Sequence, residues 1–558
     1  NHYVTAKISW LLLIQDFPDY LVLRWDALFK RYYRRWLGIA HSAEVGILYR
    51  SHEHFGLNIK GLSDTLEQLQ TVKWHILKTS EDEKSREIYE RRLKLDKDGH
   101  LGTGRKDSPC LLIERTQRRL ILDKIAFSGQ VGKAGLGYRS RMEKKMSERE
   151  RILCVIKKEA EEKRVQHAFG YKMQTNWVEY GLRDDAKKKR KDLTWQKILS
   201  YQPKLLSFTL NAQTNTLPSG DNLRRWNQSR KDIACGLCGN VNVTIGHILC
   251  GCIWVNKVEM KKPRESRFKW RHDSVLDVIV SCLTERIKDA NEQKLVCKSG
   301  ASKLRRIKFV QEGTIVRARN LQSKAEKQRC ILDEACDWEI MSDLPWKRAE
   351  GSFFMFPVDV ALTNAQPDVI IVSRVKKICV VVELTAPLEE NIVSRHTKKM
   401  TKYIKEIQDN LQPKWKLEIV CCEVGAKGWI PPGFNKSMKS IFGLVKKKRK
   451  KLADDCSWVA RQCSYVIWLN KENRDFKPVR ISVSEVSVSE EVRAVQMTLS
   501  DEKKTDEIER AEKKTLKPSK LEVTLSIKRN LERKRVREKV KRKTYRSTHL
   551  TSVQENSL

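Results

Sequence analysis

Two carboxylates, Asp368 and Glu383, bracket a segment with the pattern of two apolar strands joined by a short basic turn at residues 374–377. The midpoint between the two acids falls inside this turn, so a symmetric hairpin places them opposite each other on neighbouring strands. Directly paired residues have Cβ atoms about 4.5–5.5 Å apart, and carboxylates at that separation repel each other unless a cation or a proton lies between them. Mg²⁺ is usually held by one or two carboxylates together with substrate phosphates. The segment therefore predicts a magnesium site that acts on a phosphate-bearing substrate.

The residues after this hairpin predict a helix and then another strand. Pro387 and the acidic pair Glu389 and Glu390 are typical of a helix start. Apolar residues then recur every three to four positions, which predicts that one side of the helix packs on the sheet, and Pro413 ends the pattern. Residues 417–424 form a further apolar strand that would extend the sheet.

One lysine of this helix is placed to face the two acids. Lys399 borders the apolar stripe, four residues before Tyr403. Lys402 points further round the helix, and Lys398 lies nearly opposite the stripe. Helical geometry therefore favours Lys399 as the cation aimed at the carboxylate pair.

A compact group of cysteines and one histidine has the composition of a structural metal site. Cys235 and Cys238 form a Cys-x2-Cys turn, and His247, Cys250 and Cys252 follow within 18 residues of its start. Three thiolates and one imidazole suit tetrahedral Zn²⁺. Cys252 would close this set, but Cys250 could replace it, and the spacing alone does not choose between them. Because a closed four-ligand site leaves no position for a substrate, we expect it to support structure and nucleic-acid contact rather than catalysis.

The overall charge indicates nucleic acid as the phosphate-bearing substrate. The 558 residues include 111 Lys and Arg against 70 Asp and Glu, a formal net charge of +41, and such a chain attracts polyanions. The 15 cysteines, scattered without a secretory leader, favour a reduced intracellular protein with a thiolate metal site over a disulfide scaffold. No apolar run reaches about 18 residues, so we predict no membrane span.

The chain is too long for one hydrophobic core, and its patterns predict a multidomain α+β fold. Helical spacing dominates the first 95 residues, and a highly charged helix, expected to be exposed, covers residues 141–167. The predicted domains are an N-terminal α-helical region (1–95), a charged helical linker (96–191), a linker that carries the cysteine-histidine group (192–290), an α/β domain that carries the acids and Lys399 (330–475), and a basic tail that is disordered on its own (485–558).

Three basic segments strengthen the prediction of nucleic-acid contact. Residues 29–36 interleave aromatic and basic side chains, which can stack on bases and hold phosphates. An amphipathic helix with a solvated basic face explains the same pattern equally well. Residues 187–191 mark a linker or a nucleic-acid contact. Residues 446–451 fit a nuclear import signal and, equally, a contact to a DNA backbone.

Several separate stretches, in the same order along the chain, resemble the polyproteins of non-LTR retrotransposons that end in a restriction-like endonuclease. Residues 215–226, the cysteine-histidine group and residues 267–276 resemble the region that follows the polymerase of these elements. Residues 20–75 look like the reverse-transcriptase thumb and the linker after it. This last stretch includes Arg35-Trp-Leu-Gly-Ile39 and Gly56-Leu-Asn-Ile-Lys60. The resemblance covers about residues 1–475.

The resemblance implies a catalytic site and a reaction. The hairpin, helix and strand are similar to the PD-(D/E)xK nuclease pattern, with the lysine moved from the strand to the helix as in the restriction-like endonucleases of this family. It assigns the metal-ligand roles to Asp368 and Glu383, the lysine role to Lys399, and supporting roles to Lys402 and Tyr403. The implied reaction is metal-assisted attack of water on a DNA phosphodiester, in which the lysine stabilises the phosphorane or helps to deprotonate the water.

The resemblance also implies partners and a location. In this family the 3′ end of the nick primes reverse transcription of the element's RNA, so the implied partners are target DNA, element RNA and a reverse-transcriptase core, and the implied location is the nucleus. The paired-aspartate turn of a reverse transcriptase is missing, because the two Asp-Asp pairs, 184–185 and 454–455, lie in charged contexts outside strands. We therefore expect the polymerase core to lie upstream of Asn1 in a longer parent, and we predict no polymerase activity from this chain.

One departure from the family pattern keeps an alternative function open. Gln366 stands where the family usually has Arg or Lys before Pro-Asp. The loss of that cation favours a catalytically decayed remnant that binds RNA or DNA without cutting it. The intact set of Asp368, Glu383 and Lys399 favours the nuclease.

Overall fold

Helices make up most of the described structure, which also contains a four-stranded sheet. The structure, a computed structural model, describes residues 2–98, 108–129, 147–171, 173–174, 194–226, 233–257, 266–298, 330–347, 354–477, 479 and 481. These residues belong to the compact unit that spans Asn1–Val483, and the fold is mixed α+β. The α-helices are α1 (His2–Ile14), α2 (Asp19–Leu37), α3 (Leu62–Lys78), α4 (Glu83–Lys97), α5 (Pro109–Gly129), α6 (Glu148–Phe169), α7 (Pro203–Gln213), α8 (Gly220–Arg225), α9 (Ile253–Lys257), α10 (Arg267–Lys298), α11 (Ile392–Tyr403), α12 (Pro432–Ser440) and α13 (Lys446–Leu469).

The sheet contains the predicted hairpin at its centre. Its strands, in spatial order, are β1 (Trp338–Ser342), β2 (Val369–Ser373), β3 (Ile378–Thr385) and β4 (Lys416–Glu423). The pairs β1–β2 and β2–β3 are antiparallel, and the pair β3–β4 is parallel. The predicted hairpin is confirmed, and the strand predicted at 417–424 is confirmed to within one residue at each end.

Both faces of the two central strands are buried, which explains their unbroken runs of Val and Ile. Successive side chains of a strand point to opposite faces, so a strand covered on both sides needs apolar residues at every position. Val369 and Val380 lie in the core shared with α10 and α13. Ile370 and Val381 lie in a second cluster, where Tyr403 of α11 packs against them.

Helix α11 covers this second face and carries the predicted lysine. It ends at Tyr403 and is followed by one wider helical turn, Ile404–Gln408, so the helical segment stops before Pro413 as predicted. Glu389 and Glu390, expected as charges of the helix start, lie in a short turn ahead of the helix. Glu389 is only 3% exposed, and its Oε1 accepts a hydrogen bond from the backbone N–H of Lys427 at 2.7 Å. Its role is to hold the loop after β4.

One hydrophobic core joins the cysteine-histidine region to the sheet. Helix α10 contributes Val275 and Leu283 to this core, and α13 contributes Val459 and Ile467. The same cluster contains Cys235 and Cys252 as well as the apolar residues of β2, β3 and β4. The domain boundaries 192–290 and 330–475 stay predictions, and the described residues on the two sides share this core.

The N-terminal region is helical, as predicted, and one buried acid locks two of its helices together. Asp26 of α2 is 6% exposed and accepts hydrogen bonds from the backbone N–H groups of Leu62 at 2.7 Å and Ser63 at 2.9 Å. These groups open α3, whose own N-cap residue, Gly61, has no side chain to satisfy them.

Helix α6 occupies most of the segment predicted as an exposed, highly charged helix. The expectation of exposure is wrong for one side of it. Ile152 and Ile156 are 1% and 3% exposed and pack in a cluster with Trp74 and Ile113. Residues four apart lie on the same side of a helix, so this pair is enough to give a charged helix one buried side.

Some predicted features lie outside the described residues. These are residues 141–146, the Asp-Asp pair 184–185, the basic segment 187–191 and the tail 485–558. The other Asp-Asp pair, 454–455, lies within α13 and not at a strand turn. Within the described ranges, no helix is both long enough and apolar enough to cross a membrane.

Candidate active site and metal centre

The hairpin brings Asp368 and Glu383 together at one end of the sheet. Val369 pairs with Val382 in the antiparallel register, which puts the two acids opposite each other at the next position. The backbone N–H of Asp368 donates to Glu383 Oε2 at 3.2 Å, and the backbone N–H of Leu384 donates to Asp368 Oδ2 at 2.7 Å. Each carboxylate is therefore fixed by the backbone of the other's strand.

Lys399 is the lysine of α11 that reaches this pair. Its Nζ donates a hydrogen bond to Glu383 Oε1, and its side chain keeps 35% of its surface exposed. Lys402 lies apart from the acids, with its Nζ 3.8 Å from Glu406 Oε2. Lys398 is exposed. The structure thus brings Asp368, Glu383 and Lys399 into contact, whereas Lys402 lies against Tyr403, with its Nζ 5.0 Å from the centroid of that ring.

Tyr403 is buried beside the site and supports the backbone that leads into Asp368. It is 1% exposed, and its hydroxyl donates to the carbonyl oxygen of Gln366 at 3.2 Å. The Nζ atom of Lys399 lies 5.6 Å from the centroid of its ring. Burial and the charges of Glu383 and Asp368 raise the pKa of the Tyr403 hydroxyl, so it stays protonated and acts as a donor.

A further side chain at the site, His272 of α10, was not among the predicted residues. Its Nε2 lies 3.2 Å from Asp368 Oδ2 and 3.1 Å from the carbonyl oxygen of Leu384. Its Nδ1 lies 3.0 Å from Asp273 Oδ1. Burial alone lowers the pKa of His272, but the charges and hydrogen bonds of Asp368 and Asp273 raise it to about 10. The imidazole is therefore a cation at neutral pH, with both ring nitrogens as donors.

Two cations thus face the two carboxylates. Burial tends to raise the pKa of Asp368, but His272 and the N–H of Leu384 outweigh burial and lower it. Burial and the charge of Asp368 raise the pKa of Glu383, and Lys399 only partly offsets this. Within the described part of the chain, every hydrogen bond accepted by the Asp368 side chain goes to Oδ2, so Oδ1 remains for another ligand. Carboxylate oxygens of this kind suit Mg²⁺.

Cys235, Cys238, His247 and Cys252 form a group that could hold a metal ion. One ligand atom from each lies within 4.8 Å of the others. The Sγ atoms of Cys235 and Cys252 are 4.0 Å apart, and Cys238 Sγ lies 3.5 Å from His247 Nε2. Tetrahedral zinc, with Zn–S of about 2.3 Å and Zn–N of about 2.0 Å, requires S···S of about 3.8 Å and S···N of about 3.5 Å. The geometry is therefore compatible with zinc.

Cys250 does not belong to this group. It lies in the wider helical turn His247–Gly251, and its Sγ accepts a hydrogen bond from Arg271 Nη2 at 3.3 Å. Burial raises the pKa of its thiol. The choice that the spacing left open is therefore resolved in favour of Cys252 as the fourth member.

The basic-aromatic segment 29–36 lies on α2 and has two distinct sides. Tyr33 is 7% exposed and packs in a core cluster with α7. Tyr32 and Trp36 are 51% and 69% exposed, and their ring centroids are 5.8 Å apart. Arg31 and Arg35 are exposed beside them. The segment is an amphipathic helix whose solvent side presents aromatic rings as well as basic groups.

The basic segment 446–451 forms the first turns of α13. Most of its side chains are exposed, and Lys448 Nζ lies 3.4 Å from Asp289 Oδ2 of α10. This position at the surface is open to both of the interpretations given above.

Comparison with known proteins adds no family to these observations. No protein-family model matches this chain, and no curated protein is detectably similar to it in sequence.

Proposed function

We propose that this chain is a metal-dependent DNA endonuclease, derived from a non-LTR retrotransposon polyprotein, that nicks target DNA by phosphodiester hydrolysis. The observation that carries the proposal is the meeting of Asp368, Glu383 and Lys399, from two strands and one helix, at one end of the sheet. Two carboxylates with an adjacent lysine are the set of side chains expected for a PD-(D/E)xK-like nuclease. In the parent element, the nick would prime reverse transcription.

Each side chain of the site has a defined task in this proposal. Asp368 Oδ1 and the Glu383 carboxylate would hold Mg²⁺, which when bound polarises the phosphate and lowers the pKa of a water molecule. Glu383 draws Lys399 to the place where negative charge develops on the phosphate oxygens, and its Nζ would donate to them or help to take a proton from the water. Tyr403 fixes the backbone that leads into Asp368. Lys402 would act only through the DNA backbone, because it does not reach the acids.

The second metal and the partners belong to the same proposal. Zn²⁺ would bind Cys235, Cys238, His247 and Cys252 in a structural role, supported by ligand distances that match a tetrahedral ion. The expected partners are target DNA, element RNA and the reverse-transcriptase core of the parent polyprotein. The exposed basic segment 446–451 supports a nuclear location or a DNA contact.

Plasmid nicking by the purified protein in Mg²⁺ tests the nuclease. Asp368→Ala should abolish nicking, and Lys399→Ala should slow it by about 10²–10⁴-fold, the range for a lost proton-transfer group. Lys398→Ala is the matched control, because Lys398 is the exposed neighbour of Lys399 on the same helix. Nicking that survives Asp368→Ala would show that the activity belongs to a contaminant or to another site.

The second candidate function is binding of RNA or DNA without cutting. It is favoured by Gln366 in place of a cation and by the exposed rings of Tyr32 and Trp36 on a basic helix. Binding that weakens steeply with salt, with no nicking in Mg²⁺, would identify the chain as a decayed nuclease that survives as a binding module.

A further inference from the structure

We infer that Arg271 and His272 are positioning residues that transmit metal loading of the knuckle to the carboxylate pair. The knuckle is the segment 235–252, which carries the three cysteines and the histidine of the metal centre. The inference rests on the proposed function in one respect, since it assumes that the geometry of Asp368 and Glu383 matters for cutting.

Arg271 is the first half of the connection. It is 2% exposed. Its Nη1 donates to the carbonyl oxygen of Leu249 at 2.9 Å and to Ser464 Oγ at 3.2 Å. Its Nη2 donates to Cys250 Sγ at 3.3 Å and to the carbonyl oxygen of Ala386, just beyond β3, at 3.0 Å. One guanidinium thus joins the knuckle, α13 and the end of the central strand.

The knuckle end of this connection depends on metal. Leu249 and Cys250 belong to the turn between His247 and Cys252, which are two of the four metal ligands. A metal ion bound to His247 and Cys252 would hold the turn between them in one conformation, because the binding of a structural ion is coupled to the folding of the segment that carries its ligands. The carbonyl oxygen of Leu249 and the Sγ atom of Cys250, which accept hydrogen bonds from Arg271, would therefore be fixed when the metal is bound.

His272 is the second half of the connection. It follows Arg271 directly on α10, and its Nε2 contacts both Asp368 Oδ2 and the carbonyl oxygen of Leu384. The pair of residues therefore holds β3 at Leu384 and at Ala386, and it holds β2 through Asp368. Because the two side chains leave adjacent positions of one helix, a shift of the knuckle displaces both contacts together. Catalysis is sensitive to displacements of about 1 Å at the reacting groups.

Hydrogen–deuterium exchange on the whole chain tests the coupling without relying on activity. Zinc removal by a chelator should speed exchange at the start of β2 and the end of β3, and leave α5 unchanged. Arg271→Leu should give the same local pattern while zinc content stays stoichiometric. Arg286→Leu is the matched control: Arg286 is on the same helix but bonds to Phe442 and Asp333, and it should leave the acids unaffected.

Substitution of His272 tests its positioning role through the dependence on Mg²⁺. His272→Leu removes the donor to Asp368 and should raise the Mg²⁺ concentration needed for half-maximal nicking by about 10–100-fold, the usual effect of losing a group that orients a metal ligand. His272→Gln keeps a donor at the same reach and should restore most of the affinity.

Two results would overturn the inference. One is unchanged exchange at the acids after zinc loss or in Arg271→Leu. The other is exchange that rises equally in α5, which would mean that zinc supports only general stability. A protein that shows the local exchange pattern but does not nick DNA would remove the proposed function and leave the coupling, so the two failures are distinguishable.

Discussion

Replacing Lys399 with methionine removes the cation on Glu383 and keeps the apolar stem of the side chain. Glu383 is 1% exposed, and its pKa is already raised by burial and by the charge of Asp368. Without Lys399 Nζ its pKa rises further, because the opposing charge and hydrogen bond are lost. The folded protein must then bind a proton at Glu383 or keep there a buried charge that only the more distant His272 offsets.

The size and the pH dependence of the effect follow from this arrangement. Breaking a buried ion pair by removing one partner costs about 3–5 kcal/mol. The Lys399 side chain is 35% exposed, and solvent screening reduces the expected loss to about 1–3 kcal/mol. A glutamate in the unfolded chain has a pKa of about 4.3. When its pKa is higher in the folded state, the folded protein becomes less stable as pH rises above that value, because the unfolded chain loses the proton more easily. The unfolding free energy lost in Lys399→Met should therefore be small in mild acid and largest at slightly alkaline pH.

Urea unfolding followed by tryptophan fluorescence measures this loss in wild type, Lys399→Met and the matched control Lys398→Met. Lys398→Met should unfold like wild type, because Lys398 is exposed on the other side of α11. Adding Mg²⁺ should recover the stability of Lys399→Met by restoring a cation at the acids. Equal stability of the two variants at every pH would refute the role of Lys399 in charge compensation, and a loss that Mg²⁺ does not reverse would count against a metal site at Asp368 and Glu383.

Three further outcomes are expected. Cys252→Ser should lose bound zinc while Cys250→Ser keeps it, as measured by atomic emission, and equal loss would contradict the ligand assignment. Burial raises the pKa of Glu389 to about 7, so the wild-type protein should lose about 3 kcal/mol of unfolding free energy as pH rises from about 4.3 to 7. Glu389→Gln should not show this loss, because glutamine does not titrate. A difference in unfolding free energy that does not change with pH would disprove this. Trp36→Ala should weaken single-stranded nucleic-acid binding by about 1–3 kcal/mol in fluorescence anisotropy, whereas Ile88→Ala, on the exposed side of α4, should not.

The sequence was sufficient to predict the local geometry around the acids. The hairpin register follows from symmetry about its turn, so the sequence alone predicts that Asp368 and Glu383 are paired. The choice of Lys399 over Lys402 needed only the angle between residues on a helix. The residues involved lie on consecutive elements, so their relative placement depends only on local geometry.

Two features could not be predicted because they depend on contacts between distant parts of the chain. His272 is 96 residues before Asp368, and only the packing of α10 on the sheet brings them together. The Arg-His-Asp triplet at 271–273 was part of a stretch that resembles the retrotransposon family, but nothing in its spacing assigns it a partner. The choice between Cys250 and Cys252 depended on a wide helical turn that spacing does not reveal.

The core shared by the knuckle and the sheet has a consequence for how the protein is made. Arg267, at the start of α10, donates to the carbonyl oxygen of Asn470, a separation of 203 residues. Contacts of such long range close large loops and form late in folding. Helix α10 therefore completes its packing only when α13 has been synthesised, because the two helices share one core. A nascent chain that stops short of α13 would contain both acids but would lack the helix against which α10 packs, so the proposed site would be complete only once residues up to Leu469 are present.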